Sequence, residues 1–161
     1  MQRELDNTAP ANGTVIAVNI SDGGIPKRNV GQAEVTADGL VGDGQAHAKH
    51  RRPHRAVTIM DIELIAQLAA EGYEVGPGTL GENLTVRDLH VQQLSVGDRL
   101  HFDQGPVLEL AEVRRPCFVL DAVDPQLKDN VVGRCGYLCR VVQGGTFRVG
   151  QQISVTRGHS R

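Results

Sequence analysis

At 161 residues the chain is long enough for one domain to bury a continuous core and too short for two. Seventeen Lys and Arg against nineteen Asp and Glu leave a formal charge of −2, and aromatics are 3% with no Trp, so neither a basic field nor a stacking platform for nucleic acid is expected. Three cysteines without a C-x-x-C pair argue against a disulfide framework or zinc knuckle. With no leader-like start and no apolar run of about 20 residues, the chain is expected to be cytoplasmic, reduced and without a membrane partner.

In chain order, residues 1–12 are polar and aperiodic and are expected to be a flexible N-terminal segment. Short β-branched runs then predict strands over 14–20, 33–36, 56–60, 84–86, 99–102, 107–113, 140–142 and 152–155. Glycine signals separate them, in keeping with 19 glycines in 161 residues against a usual share of about 7%. One helix is predicted after Asp61, a residue suited to cap it. Ile62, Leu64, Ile65, Leu68 and Ala69 return at helical spacing and Gly72 follows the end. A shorter helical turn is predicted after Pro116, with Phe118, Leu120 and Ala122. The stretches 96–100 and 149–153 share a pattern in which a glycine turn feeds a strand, and two similar β-turns account for it. Residues 157–161 are expected to be a flexible tail. The pattern is mainly β (α+β), a barrel or sandwich over 13–156 with one or two covering helices.

Three segments carry groups suited to chemistry. Cys117 follows Arg114, Arg115 and Pro116 at a strand end, where cationic neighbours and a helical start favour the thiolate, the form that attacks, carries sulfur or binds a soft metal. Cys135 and Cys139 have no acid or imidazole arranged around them and read as packing residues. Residues 42–55 are dense in cations, including Lys49, Arg51, Arg52 and Arg55, and suit the anionic end of a ligand. His47, His50 and His54 have helical spacing, but Pro53 interrupts any helix that would use it, so a metal cluster is not expected there. The third segment, 78–85, presents Glu82, Asn83 and Thr85 after glycines that free backbone amides, a set able to read the edge of a heterocycle.

Taken together, the chain resembles the MOSC family, named for the C-terminal domain of molybdenum cofactor sulfurases. The carriers are Gly23-Gly24-Ile25-Pro26-Lys27, Gly39-Leu40-Val41-Gly42-Asp43, Arg55-Ala56-Val57-Thr58-Ile59, Gly81-Glu82-Asn83-Leu84-Thr85, Val96-Gly97-Asp98, Arg115-Pro116-Cys117, and Gly133-Arg134-Cys135-Gly136 leading to Arg140-Val141. The resemblance implies a distorted MOSC-type β-barrel whose cleft carries the family's cysteine, here Cys117, as metal ligand and catalytic group. Arg51, Arg52, Arg55, Glu82, Asn83, Thr85 and Arg115 are then cofactor-binding, and the cofactor is molybdenum cofactor (molybdopterin). Pyridoxal phosphate binding is a further property that family membership implies. This chain carries His50-Arg51-Arg52-Pro53-His54 in place of the glycine-bearing loop of the base-reducing members, and no electron-transfer motif.

Three functions follow as expectations. In the first, the cofactor is held by Cys117 and N-hydroxylated compounds are reduced with electrons from a partner protein. In the second, the protein carries the cofactor, or sulfur as a Cys117 persulfide. In the third, a metal-free lyase or transferase uses the same cleft.

Overall fold

The computed structural model describes residues 13–44 and 53–158, except for the side chains of His54 and Phe118. Eleven strands are present among these residues: β1 (Gly13–Ile20), β2 (Arg28–Asn29), β3 (Gln32–Thr36), β4 (Gly39–Leu40), β5 (Val57–Asp61), β6 (Leu84–Arg87), β7 (Arg99–Phe102), β8 (Val107–Val113), β9 (Tyr137–Gln143), β10 (Gly145–Arg148) and β11 (Gln152–Thr156). Two helices accompany them, α1 (Ile62–Ala70) and α2 (Leu127–Asn130).

Seven strands form a closed ring in the order β11-β7-β8-β9-β5-β6-β1, sealed by the pairing of Gly13 with Ile153 and Thr14 with Gln152. Closure leaves no unpaired edge within the ring. The remaining strands are peripheral: β2 extends the far end of β1, and β10-β3-β4 form a small separate sheet. Phe147 of β10 packs edge-on against Phe102 of β7, with ring centroids 4.8 Å apart, and ties that sheet to the barrel. The two glycine turns at 97 and 150 both lie in the left-handed region and feed the paired strands β7 and β11.

Within the ring every pairing is antiparallel except β5 with β6. A parallel pair needs a long crossover, and α1 with the loop 71–83 supplies it. Side-chain alternation along β5 then separates two cores. Ile59 points into the barrel beside Val57, Leu84 and Leu110, whereas Met60 points outward beside Leu68, Leu80, Leu120 and Leu127. The outer core is what the helices and the 3-10 turn Phe118–Ala122 cover.

The helix predicted after Asp61 is α1, but Asp61 does not cap it. Its carboxylate turns away to the backbone N–H groups of His90 and Val91, 3.1 Å from the latter, and makes no side-chain bond to the first turn. Four further elements were not expected from the pattern, the short strands β2, β4 and β10 and the helix α2, and β9 begins at Tyr137, three residues before the predicted start.

Candidate functional site

The loop that joins α1 to β6 owes its path to two glycines. Gly78 has φ +85° and its carbonyl accepts the N–H of Lys27 at 2.8 Å; a Cβ there would overlap the Lys27 carbonyl. At Gly81, with φ +93°, a Cβ would clash with Ile25 Cγ2 at 2.7 Å and lie 3.5 Å from Arg114 Nη2. Glycine is required at both positions by backbone conformation and by space.

Glu82, Asn83 and Thr85 leave this loop as buried residues. Asn83 accepts the Thr58 N–H on Oδ1 at 3.0 Å, and its Nδ2 donates to Asp43 Oδ2 at 2.9 Å and to the Asn19 carbonyl at 3.3 Å. Asp43 in turn pairs with Lys27 at 2.7 Å and takes the Ser21 N–H at 3.0 Å. Thr85 sits between Asn19, whose Nδ2 donates to its hydroxyl at 2.9 Å, and Glu82, to whose Oε2 it lies at 2.7 Å. The Gly78 N–H also donates to Glu82 Oε2, at 2.7 Å. The polar groups of Asn83 and Thr85 are therefore engaged within the protein. Burial pushes the Glu82 carboxyl above its ordinary value, against the lowering effect of these bonds and of Arg114.

Arg114 is the arginine that reaches this loop. Its backbone N–H bonds the Gly136 carbonyl at 3.0 Å, which continues the β8–β9 ladder, and its Nη2 donates to the Leu80 carbonyl at 2.6 Å. The adjacent Arg115 is exposed. Among the described residues, Glu82 Oε1 and Arg114 Nη1 are both buried and lack a hydrogen-bond partner.

Cys117 is exposed at the start of the 3-10 turn that follows β8. Cys135 and Cys139 are both buried, the first in the outer core and the second in the barrel. Cys135 donates to the Arg114 carbonyl at 3.3 Å. Desolvation raises its thiol above the usual range, Arg114 opposes that shift, and Cys117 adds to it. The same desolvation pushes the Cys139 thiol far up.

Of the cationic loop, Arg51 and Arg52 lie outside the described residues, as do Lys49, His47 and His50. Arg55 is half exposed and donates to Glu112 Oε2 on β8 at 3.1 Å, five residues before Cys117 in the chain. Asp61, Glu63 and His90 bring three donor atoms within 4.8 Å of one another at the other end of β5, three residues or roughly 10 Å along the strand from Thr58. Asp61 there has both oxygens bonded to backbone amides.

The model of the MOSC domain matches residues 46–154, two thirds of the chain. The chain belongs to the MOSC family. A reductase of Gibberella moniliformis (strain M3125 / FGSC 7600) is 30% identical over 130 residues, which is 74% of this chain and 23% of that protein. The chain thus spans under a quarter of that relative's length. Among solved structures, YuaD of Bacillus subtilis superposes with a TM-score of 0.68 at 24% identity, covering 92% of this chain and 95% of that one. YiiM of Escherichia coli gives 0.69 at 24% identity, covering 94% and 73%. These likenesses establish the MOSC barrel as the fold. No helix among the described residues is long and apolar enough to cross a membrane.

Of the site residues read from the sequence, Glu82, Asn83 and Thr85 form one buried network, with Cys117 on the exposed turn three residues beyond Arg114. Arg114 was not singled out as a binding residue. The signal available was its place in the same Arg-Arg-Pro-Cys run.

Proposed function

We propose that Cys117, Arg114 and the 78–82 loop together hold molybdenum cofactor, and that the protein reduces N-hydroxylated compounds with electrons from an external donor. The observation that carries this reading is the combination of one exposed thiol with a buried, unpaired guanidinium N–H three residues away. A metal-pterin group asks for that donor set, a soft ligand for the metal and charged anchors for its anionic parts. The residues present fit it. The match to a protein called a reductase supports the redox branch of the family.

In this reading Cys117 ligates the metal through its thiolate, and the bound group supplies a two-electron redox centre. The chain's own residues orient and desolvate. Arg114, fixed by its bond to Leu80, presents Nη1 to the ligand. The cations Arg51, Arg52, Arg55 and Arg115 supply positive charge that would meet phosphate and substrate charge. Asn83 and Thr85 act as positioning residues, since their bonds hold Glu82 and the loop in place.

The test is molybdenum content and oxidised-pterin fluorescence, measured together on freshly purified protein and on Cys117→Ser. Stoichiometric metal and pterin in the wild type, with metal lost in the variant, are expected. Metal and pterin absent from wild type, or retained fully by the serine variant, overturn the reading.

A further inference from the structure

The Glu82 carboxyl has one occupied oxygen and one bare one. Oε2 receives the Gly78 N–H and lies 2.7 Å from the Thr85 hydroxyl. In that second bond the Thr85 hydroxyl is the donor, while its oxygen accepts the Asn19 amide at 2.9 Å. Oε2 is therefore an acceptor twice over. A proton on this carboxyl belongs on Oε1, the buried oxygen with no partner among the described residues.

An ionised Glu82 would leave Oε1 as a buried carboxylate oxygen with no donor, the costliest arrangement available to it. Arg114, close enough to bias Glu82, forms no salt bridge with it or with any other described residue, and its Nη1 is likewise bare. One oxygen of Glu82 and one nitrogen of Arg114 are thus buried and unmatched among the described residues. Glycine at 81 lets the loop pass close to Ile25 and Arg114, where a Cβ would lie 2.7 Å from Ile25 Cγ2.

We propose that Glu82, as a neutral acid donating from Oε1, and Arg114, donating from Nη1, together seat one oxyanion group of the ligand. The assignment rests on the reading that Cys117, Arg114 and the 78–82 loop hold a ligand. It adds the ligand's chemistry at one point: with Glu82 neutral the seat carries the single positive charge of Arg114, which an oxyanion complements and a cation or hydrocarbon does not.

Two measurements test it. Infrared difference spectra of wild type against Glu82→Gln at neutral pH are expected to contain the C=O stretch of a protonated carboxyl; its absence overturns the neutral acid. Calorimetric titration with inorganic phosphate is expected to give binding in wild type. Glu82→Gln, whose amide still donates, should bind within about threefold, and Arg114→Met should bind about tenfold more weakly or worse. If Arg114→Met does not fold, Arg114→Lys, which keeps the charge but not the fork of donors, is titrated instead and is expected to weaken in the same direction. No phosphate binding by wild type, or equal binding by the Arg114 variant, overturns the seat. Molybdenum and pterin content of the same wild-type preparation separates this from the cofactor reading. Phosphate binding by protein that holds neither overturns the cofactor reading and leaves the seat standing, whereas cofactor retention without phosphate binding by the emptied protein does the reverse.

Discussion

Asn83 and Thr58 are joined by two hydrogen bonds: the Asn83 backbone N–H donates to the Thr58 carbonyl at 2.9 Å, and the Thr58 N–H donates to the Asn83 side chain at 3.0 Å. The side chain thus acts as one more rung of the parallel β5–β6 ladder, at the point where the loop enters the sheet. Asn83→Ala leaves the Thr58 N–H and an oxygen of Asp43 short of a partner, both in partly buried positions. The expected loss is about 3 kcal/mol of stability. Urea unfolding of ligand-free protein checks it: a midpoint unchanged from wild type would show that the rung contributes nothing.

Lys27 and Asp43 present a related case, because their side chains are only 12% and 7% exposed. Removing one partner of a largely buried pair leaves the other charge uncompensated, and Asp43→Asn should destabilise by about 3 kcal/mol. Adding Lys27→Met should restore part of that loss, since it removes the stranded charge. A double variant less stable than Asp43→Asn alone would contradict this account of the pair.

Glu82 gives stability a pH dependence of known sign. Its carboxyl is raised in the folded protein, with desolvation as the leading cause, so the folded state holds its proton where the unfolded chain releases it. Its contribution is fully present below the ordinary glutamate range and is lost as pH rises through the raised folded value. Glu82→Gln has no proton to lose. The stability of Glu82→Gln minus that of wild type should therefore grow as pH climbs above the ordinary glutamate range, and level off once the folded carboxyl has ionised. A flat difference across that window would mean that Glu82 titrates alike in both states.

The barrel was legible because its strands are β-branched runs between glycine turns, and the helix because five apolar residues recur on one face. β10 was hidden by its length of four residues and by Gly144 and Gly145 at its start, which read as a loop. The start of β9 was hidden because Tyr137 to Cys139 follow Gly136 and resemble a turn. At the site, residue chemistry singled out Cys117 and Glu82, but nothing in two adjacent arginines says which one turns inward. Counting alternate positions from Leu108 and Leu110 would send Arg114 into the barrel. The ladder shifts register between Leu110 and Glu112, and a shift exchanges the faces, so Arg114 meets Leu80 outside the wall. Asp61 shows the same limit: its capping position was readable, but the path of the chain through Asp88 and His90, both left-handed, was not.

The basic segment can be probed through its charge alone. Reversing Arg51 and Arg52 to Glu changes the net charge by −4 and should weaken ligand retention at low salt, with a smaller difference at high salt where screening is strong. The melting temperature of ligand-free protein should move by no more than a few degrees. Retention equal to wild type at low salt would remove both residues from the binding site.

The three thiols supply an internal comparison for the residue on which the proposed function turns. Cys117 is exposed, whereas Cys135 and Cys139 are both fully buried and desolvation raises both of their thiols. Access and thiolate fraction both disfavour the buried pair, so iodoacetamide at neutral pH should label Cys117 first, by at least tenfold in rate. Cys117→Ser changes little volume at an exposed position and should unfold within about 0.5 kcal/mol of wild type. Cys139→Ser instead places a hydroxyl inside the barrel and should lose about 2 kcal/mol. When molybdenum is bound, its thiolate ligand is blocked, so labelling of Cys117 should slow in protein that retains metal and recover after the metal is removed. Peptide mapping by mass spectrometry reads all three sites in one sample. Equal labelling of Cys117 with and without bound metal would exclude its sulfur as the ligand, even in a protein that holds molybdenum.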